Sequence, residues 1–332
     1  MGIAEDILFF TENFSLYFVS VIFVIGGIGN LINICVLTFL KLFQSNQCAF
    51  YLVFESVVNT CQLTILFIMY LLPIVNGFDP GNISIGWCKV KAMVPHVFRL
   101  LSTSMVCFAA LDQFLSTNPL LIIRRMSSLR LAHRLTIIAI IIWSLHSVPY
   151  GIFYQIAPPS GCIMNNSRLN FYYLYFYYPF LHGFLPIFAS SGYALLAYRN
   201  VRRLIRRDMG AERRRLDRQL TAMVFARVIC FVLFSAPYTI YRIYALNVSV
   251  SRANMYPYAI DRLLYTIMVT LANLNYTMSF YIFFATSSRY RRQVKHFFVK
   301  KCWLALKNLC TLEPNRIHPQ TSRSIAADSG WE

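Results

Sequence analysis

The sequence predicts an all-α membrane protein, a seven-transmembrane helix bundle with a short amphipathic eighth helix. Three observations predict it. Seven apolar stretches, at about 16–40, 50–75, 92–115, 135–156, 171–198, 220–246 and 258–285, fill most of the 332 residues. Each holds about 20 residues or more, enough for a helix to cross about 30 Å of hydrocarbon. The chain is 57% hydrophobic and only 13% charged, with mean hydropathy +0.52, whereas soluble domains carry about 25% charged residues. Finally, the basic residues gather in alternate connecting segments, as they do on the inward face of a membrane protein.

Taken in order, residues 1–15 read as an extracellular N-terminus, 16–286 as the bundle, 287–306 as an amphipathic helix and 307–332 as a polar, disordered cytoplasmic tail. Residues 1–13 hold Glu5, Asp6 and Glu12 but no Lys or Arg. The basic n-region of a cleaved signal peptide is missing, so the first span is expected to insert as its own anchor. The segment after span three carries Arg124, Arg125, Arg130 and Arg134. The segment after span five runs from Arg199 to Arg218, and the tail opens with Arg289, Arg291, Arg292 and Lys295. These segments are expected in the cytosol, with Lys89 and Lys91 as minor exceptions on the other side.

Glycosylation triplets give the same orientation independently. Asn13-Phe14-Ser15, Asn82-Ile83-Ser84, Asn165-Asn166-Ser167 and Asn247-Val248-Ser249 all fall in segments that the charge rule leaves outside. Asn275-Tyr276-Thr277 lies in span seven and should stay unmodified. The expected location is the plasma membrane, multi-pass, with the N-terminus extracellular. The net charge of +18 raises nucleic acid as a partner. Its confinement to juxtamembrane segments points to lipid headgroups instead, so no nucleic acid is expected.

Several residues stand at family spacings. Gly29-Asn30 lies in span one, Trp87-Cys88 opens span three, and Cys162 waits in the second outer loop. Asp112-Gln113-Phe114 closes span three, Trp143 lies in span four and Pro186 in span five. Phe231, Phe234, Ser235 and Pro237 mark span six. Ser279 to Phe283, followed by Arg289-Tyr290-Arg291-Arg292, closes span seven. With these the chain resembles a rhodopsin-like (class A) G-protein-coupled receptor of neuropeptide or chemosensory type, over about 14–301. Cys88 precedes Gln113 by 25 positions, that family's interval from disulfide to arginine. There are departures: Gln113 replaces the arginine that enters the G protein, Ser235 the span-six tryptophan, and Asn59 the span-two aspartate. Ser279 and Phe283 replace the span-seven asparagine and tyrosine.

The resemblance implies a receptor that binds an extracellular ligand and activates a heterotrimeric G protein by outward movement of helix six. It implies a Cys88–Cys162 disulfide, the alternative being two free thiols. It makes Asp112, Gln113, Phe231, Pro237, Ser279 and Phe283 the activation switch. The ligand pocket is expected at His96, Arg99, Tyr238, Tyr241, Arg242 and Tyr265. Arg99, a cation in the outer half of span three, should meet an anionic part of the ligand or satisfy a buried polar partner. Arg242 could equally snorkel to the interface. Pro95 stands where amine receptors keep an aspartate, so a peptide or small acidic cue is expected. The aromatic run 171–180 reads as an interfacial belt.

Glu55 and Arg227 lie at matched depths of about 13–15 Å from the cytosolic side. They are expected to pair across the bundle, unless each finds water or backbone separately. Asn30, Asn59, Ser102, Asn273 and Asn275 are expected to form a buried polar network. Cys302 and Cys310 are candidate palmitoylation sites. Thr321, Ser322 and Ser324 are candidate phosphosites by composition. The nine cysteines show no metal-type spacing, and neither a cofactor nor catalysis is expected. No Ser-His or His-Glu-x-x-His arrangement occurs, and no repeat or pair of broken helices marks a transporter. The rival reading is a seven-helix receptor-like protein without G-protein coupling.

Overall fold

Polar side chains set where the helices begin. Asn46 accepts from the Ala49 amide, Ser84 from Trp87, Ser128 from Leu131 and Asn166 from Leu169. Each bond satisfies an amide that the first helical turn leaves without a partner. The computed structural model describes residues 2–39, 46–157, 161–204, 211–248 and 254–303. It consists of α1 (Ile3–Phe39), α2 (Gln47–Asn76), α3 (Ile85–Ser116), α4 (Leu129–Phe153), α5 (Ser167–Arg203), α6 (Ala211–Asn247), α7 (Met255–Leu274), α8 (Ser279–Thr286) and α9 (Ser288–His296). A short helix, Leu121–Met126, joins α3 to α4. Between α4 and α5 stands the antiparallel hairpin β1 (Tyr154–Ala157) and β2 (Gly161–Met164), with Ile156 opposite Cys162.

Six helices are long and apolar enough to cross a membrane, and α7 with α8 makes a further span if that pair, bent by 54°, counts as one. The chain is therefore a multi-pass, all-α membrane protein. Rows of exposed apolar side chains support this: Val21, Val24, Ile25 and Ile28 on α1, and Ile137, Ile138, Ile141 and Leu145 on α4. Water would not tolerate faces of that extent; hydrocarbon does.

The helix at the N-terminus begins at Ile3, well before the apolar stretch that opens at 16. Glu5 and Asp6 in its first turn complement the helix dipole. Thr11, Asn13 and Ser15 each donate to the carbonyl four residues back, so polar residues here join the helix rather than end it. The aromatic run of α5 divides. Tyr173 and Tyr177 are buried with Leu100 and Tyr150, whereas Phe171, Tyr175, Phe176 and Phe180 are exposed. The wider π-type winding over Tyr173–Phe184 turns part of the expected belt inward.

Close approach of α1 to the break between α7 and α8 depends on Gly26. A Cβ there would stand 2.5 Å from Leu63 Cδ1 and 2.7 Å from Thr277 Oγ1. Three bonds exploit the proximity: Asn30 Nδ2 donates to the Tyr276 carbonyl at 2.9 Å, Thr277 Oγ1 to Ile22 at 3.4 Å and Tyr281 Oη to Ile25 at 3.1 Å. Gly26→Val should therefore cost about 1–3 kcal/mol by overpacking. Gly27→Ala, with nothing within 4 Å of its added methyl, should be silent. Thermal unfolding of the two variants in the same lipid separates them.

The residues from Val294 onward form a separate compact unit, whose described helical part is Phe297–Cys302 followed by Trp303. The expectations for 307–332, including Cys310, Thr321, Ser322 and Ser324, lie outside the described residues, as does the side chain of Cys302.

Candidate functional site

Two sites share the centre of the bundle. The first is built around Arg227 of α6, 1% exposed, and Glu55 of α2, 1% exposed. Both Nε and Nη2 of Arg227 donate to Glu55 Oε1, at 2.8 and 2.6 Å. Nη1 donates to Asn275 Oδ1 at 2.6 Å, and Nη2 also reaches the Asn275 carbonyl at 3.1 Å. Asn275 is the residue that caps α7 at the break. Ser279 at the start of α8 donates its hydroxyl to the same Glu55 oxygen at 3.0 Å. One guanidinium thus ties α6 to α2 and to the unwound turn of the α7–α8 pair. Helical pitch sets the depth of each charge, and at that depth each meets the other as its opposite charge, with Asn275 and Ser279 completing the hydrogen bonds.

The amide residues divide around this pair. Ser102 Oγ donates to Asn59 Oδ1 at 2.6 Å, and Asn59 Nδ2 makes a long contact of 3.4 Å to Glu55. Asn59, Ser102 and Asn275 therefore join one network through the ion pair. Asn30 binds the break from the α1 side, and Asn273 lines the neighbouring cavity.

Toward the arginine-rich end of the bundle, Gln113 Oε1 accepts from Thr221 Oγ1 of α6 at 2.8 Å. This bond joins α3 to α6 without charge. Asp112 Oδ1 accepts from Ser127 Oγ at 2.6 Å, just past the short connecting helix. Phe231 and Phe283 are buried beside the network, and Pro237 lies inside α6. The partner of Gln113 could not be read from the sequence, because a threonine in an apolar helix carries no distinguishing signal. Thr221→Val should cost about 1–3 kcal/mol by leaving the buried Gln113 oxygen without its donor. Adding Gln113→Leu should recover most of that loss, as a thermal-unfolding double-mutant cycle would show.

The second site lies nearer the disulfide end. Arg99 of α3, Tyr238 and Ser235 of α6, His182 of α5, and Asn275 and Tyr276 of the break line a small cavity. The centre of a water-sized sphere has about 10 Å³ in which to move there. The Arg99 guanidinium stands 5.8 Å from the Tyr238 ring centroid. A cation so placed costs a few kcal/mol or more unless it is paired or wetted. His182 Nδ1 and Tyr177 Oη are buried without a hydrogen-bond partner.

The structure brings together only part of the expected pocket. His96 turns away from this cavity: its Nε2 lies 2.8 Å from His146 Nδ1 on α4, and His146 Nε2 lies 2.8 Å from Tyr172 Oη. It packs against Tyr150 and Tyr177, with ring centroids 4.2 and 4.5 Å away. Tyr241 Oη donates to Asp261 Oδ1 at 2.8 Å, joining α6 to α7. Arg242 sits 4.1 Å over the Tyr178 ring, and Tyr265 packs 5.9 Å from Tyr241. These three do not line the Arg99 cavity. His146, His182 and Tyr276 were not singled out by sequence. A lone histidine or tyrosine in an apolar helix reads as packing until its neighbours on other helices are known.

At the disulfide end, Cys88 at the start of α3 is bonded to Cys162 of β2, with Cα atoms 5.6 Å apart. Asn82 Oδ1 accepts from the Cys162 amide at 3.3 Å. It also crowds the position that a Cβ on Gly161 would take. Gly161 has φ of 75°, so both backbone conformation and space demand glycine there. Asp79 pairs with Lys91. Partial burial works against its charge, but the Lys91 ammonium, by bond and charge, together with the Gly81 amide outweighs that and holds its carboxyl below the usual range. Asn82 and Asn165 are exposed at this end. Asn13 is held within α1, and Asn247 is the last residue of α6.

Among the described residues no group of three or more His, Cys, Asp or Glu side chains could hold a metal. No protein-family model matches the chain, and no curated protein matches it.

Proposed function

We propose that the chain is a seven-crossing plasma-membrane receptor with its N-terminus outside. It binds an extracellular ligand, a peptide or a small acidic cue, and activates a heterotrimeric G protein when α6 moves outward. The observation that carries this reading is the Arg227 assembly. A single α6 side chain holds α2 and the α7–α8 break, 2.6 Å from each of Glu55 and Asn275. It is a latch that an outward swing of α6 must open. The Gln113–Thr221 bond is a second, neutral latch between α3 and α6.

Orientation rests on opposition between the two ends. Asn82, Asn165 and the disulfide lie at one, and Arg124, Arg125, Arg202, Arg203 and Arg218 lie at the other. Sugars and disulfides belong to the oxidising outer face, arginines to the cytosol. The segment 287–306 is read as an amphipathic eighth helix on the inner leaflet, with Cys302 as a lipid attachment point.

The deciding experiment measures nucleotide exchange on purified G proteins of several classes, with the chain in lipid nanodiscs. Exchange that rises in Glu55→Gln or Arg227→Gln relative to wild type supports the reading. A second reading, a receptor without G-protein coupling, is favoured by Gln113. It lacks the usual charge, and its amide oxygen is engaged by α6. Exchange that stays at the empty-nanodisc level in every variant supports that reading instead.

A further inference from the structure

Among the described residues no carboxylate pairs with Arg99. The groups whose fields act on it are Tyr238, Tyr276, Tyr177 and Tyr178, and no carboxylate is among them. Arg242, over the ring of Tyr178, adds a second positive charge outside the cavity itself. Among the described residues, the ion pairs of Lys91 with Asp79 and Arg227 with Glu55 are formed elsewhere. Tyrosine hydroxyls and rings soften the field of a guanidinium but do not neutralise it.

We propose that the cavity beside Arg99 is a binding site for one monovalent anion. It is either a free halide of the chloride class or the carboxylate head of the ligand. The Arg99 guanidinium supplies the charge. His182, 5% exposed with its Nδ1 unpartnered, supplies a second donor in its Nδ1–H tautomer. Thr103 and Ser235 bring hydroxyls to the same lining. A water molecule would answer the hydrogen bonds and leave the charge; an anion answers both. One positive charge with no carboxylate partner selects a singly charged anion over sulfate or phosphate.

The floor of the site gives the anion a consequence. Asn275 and Tyr276 line the cavity, and Asn275 holds Arg227 through both its side chain and its carbonyl. Occupancy at Arg99 therefore bears on the latch through two consecutive residues of one unwound turn. This deepens the receptor reading, on which the carboxylate source depends; the halide source does not depend on it.

The test uses the full chain in lipid nanodiscs and follows thermal unfolding by tryptophan fluorescence. Anions are exchanged at constant ionic strength against a bulky sulfonate buffer ion. Chloride and bromide form one arm, formate and acetate the other. The expected result is a rise of several degrees that saturates with anion concentration, as linkage requires, and is lost in Arg99→Gln. Saturation by halides, with acetate competing, assigns a free ion. Saturation by carboxylates alone assigns a ligand head group. Ser235→Leu fills the cavity and keeps Arg99, so it should lose the same rise if Arg99→Gln does not fold. Should neither variant fold, the wild-type titration decides by itself. Equal unfolding temperatures in all anions, a dependence that never saturates, or a full rise in either variant overturns the site. No G protein enters this measurement, so absent nucleotide exchange leaves it standing, and its failure leaves the receptor reading to its own test.

Discussion

Arg227→Ala should leave the Glu55 carboxylate buried with only amide and hydroxyl neighbours, and should cost about 3–5 kcal/mol. That is at least a fifth of the stability of an ordinary domain of about 5–15 kcal/mol, so surface display should fall several-fold. On the proposed receptor reading, the fraction that reaches the membrane should drive nucleotide exchange on the G protein without ligand, because α6 then has lost its hold on both α2 and the break. Glu55→Ala should do the same from the other side. The informative variants are the double ones. Glu55→Arg with Arg227→Glu restores opposite charges at one depth and should recover basal activity in part. Full recovery is not expected, because Asn275 accepts from a guanidinium on α6 and cannot accept from a carboxylate. Glu55→Met with Arg227→Met removes both charges and should recover display, yet keep a raised basal rate, since apolar packing does not specify the closed arrangement of α6. Display by flow cytometry and exchange on the same samples separate the stability term from the switching term. Additive effects of the two single changes would show that the residues do not act as a pair.

What was legible in the sequence follows from what helical periodicity encodes. Length and composition alone give apolar spans, because a bilayer needs about 20 apolar residues and allows few charges. Rise per residue gives depth, which is why Glu55 and Arg227 could be set at one level before any packing was known. Azimuth is the part that a single sequence does not carry. Whether His96 points at α4 or at the Arg99 cavity turns on the packing of α3 against its neighbours. His146, which meets His96, lies 50 positions away along the chain. The same holds for Tyr276, whose backbone binds α1 and whose side chain lines the Arg99 cavity. Apolar length marks a span and not a helix end: α1 begins at Ile3 because Thr11, Asn13 and Ser15 satisfy themselves on carbonyls within it. The π-type winding of α5 had no signal beyond Pro179, and it decides which tyrosines of that run face inward.

Cys162→Ser should give the second large loss. The disulfide closes 74 residues of chain, and loop-closure entropy for a free chain of that size is worth about 4 kcal/mol. The true figure should be smaller here, because α3 and α4 are threaded through lipid and restrict the unfolded ensemble before the bond forms. The loss should fall instead on the hairpin. Without the bond, the hairpin keeps the Asn82 contact to the Cys162 amide at 3.3 Å, one neutral hydrogen bond of about 1 kcal/mol, and the packing of Tyr154 and Met164 against Leu100, Tyr150, Tyr173 and Tyr177. The hairpin should then loosen around Cys162 while Tyr154 and Met164 keep their packing. Two results are expected together: display falls several-fold, and mild reductant no longer lowers the unfolding temperature. Cys61→Ser, at an exposed position on α2, should change neither and serves as the control for thiol loss. Cys88→Ser should match Cys162→Ser, and the double variant should be no worse than either, because removing the second thiol removes no further contact. If the double variant were markedly less stable than both singles, the two cysteines would be contributing by packing, and the hairpin would need another anchor.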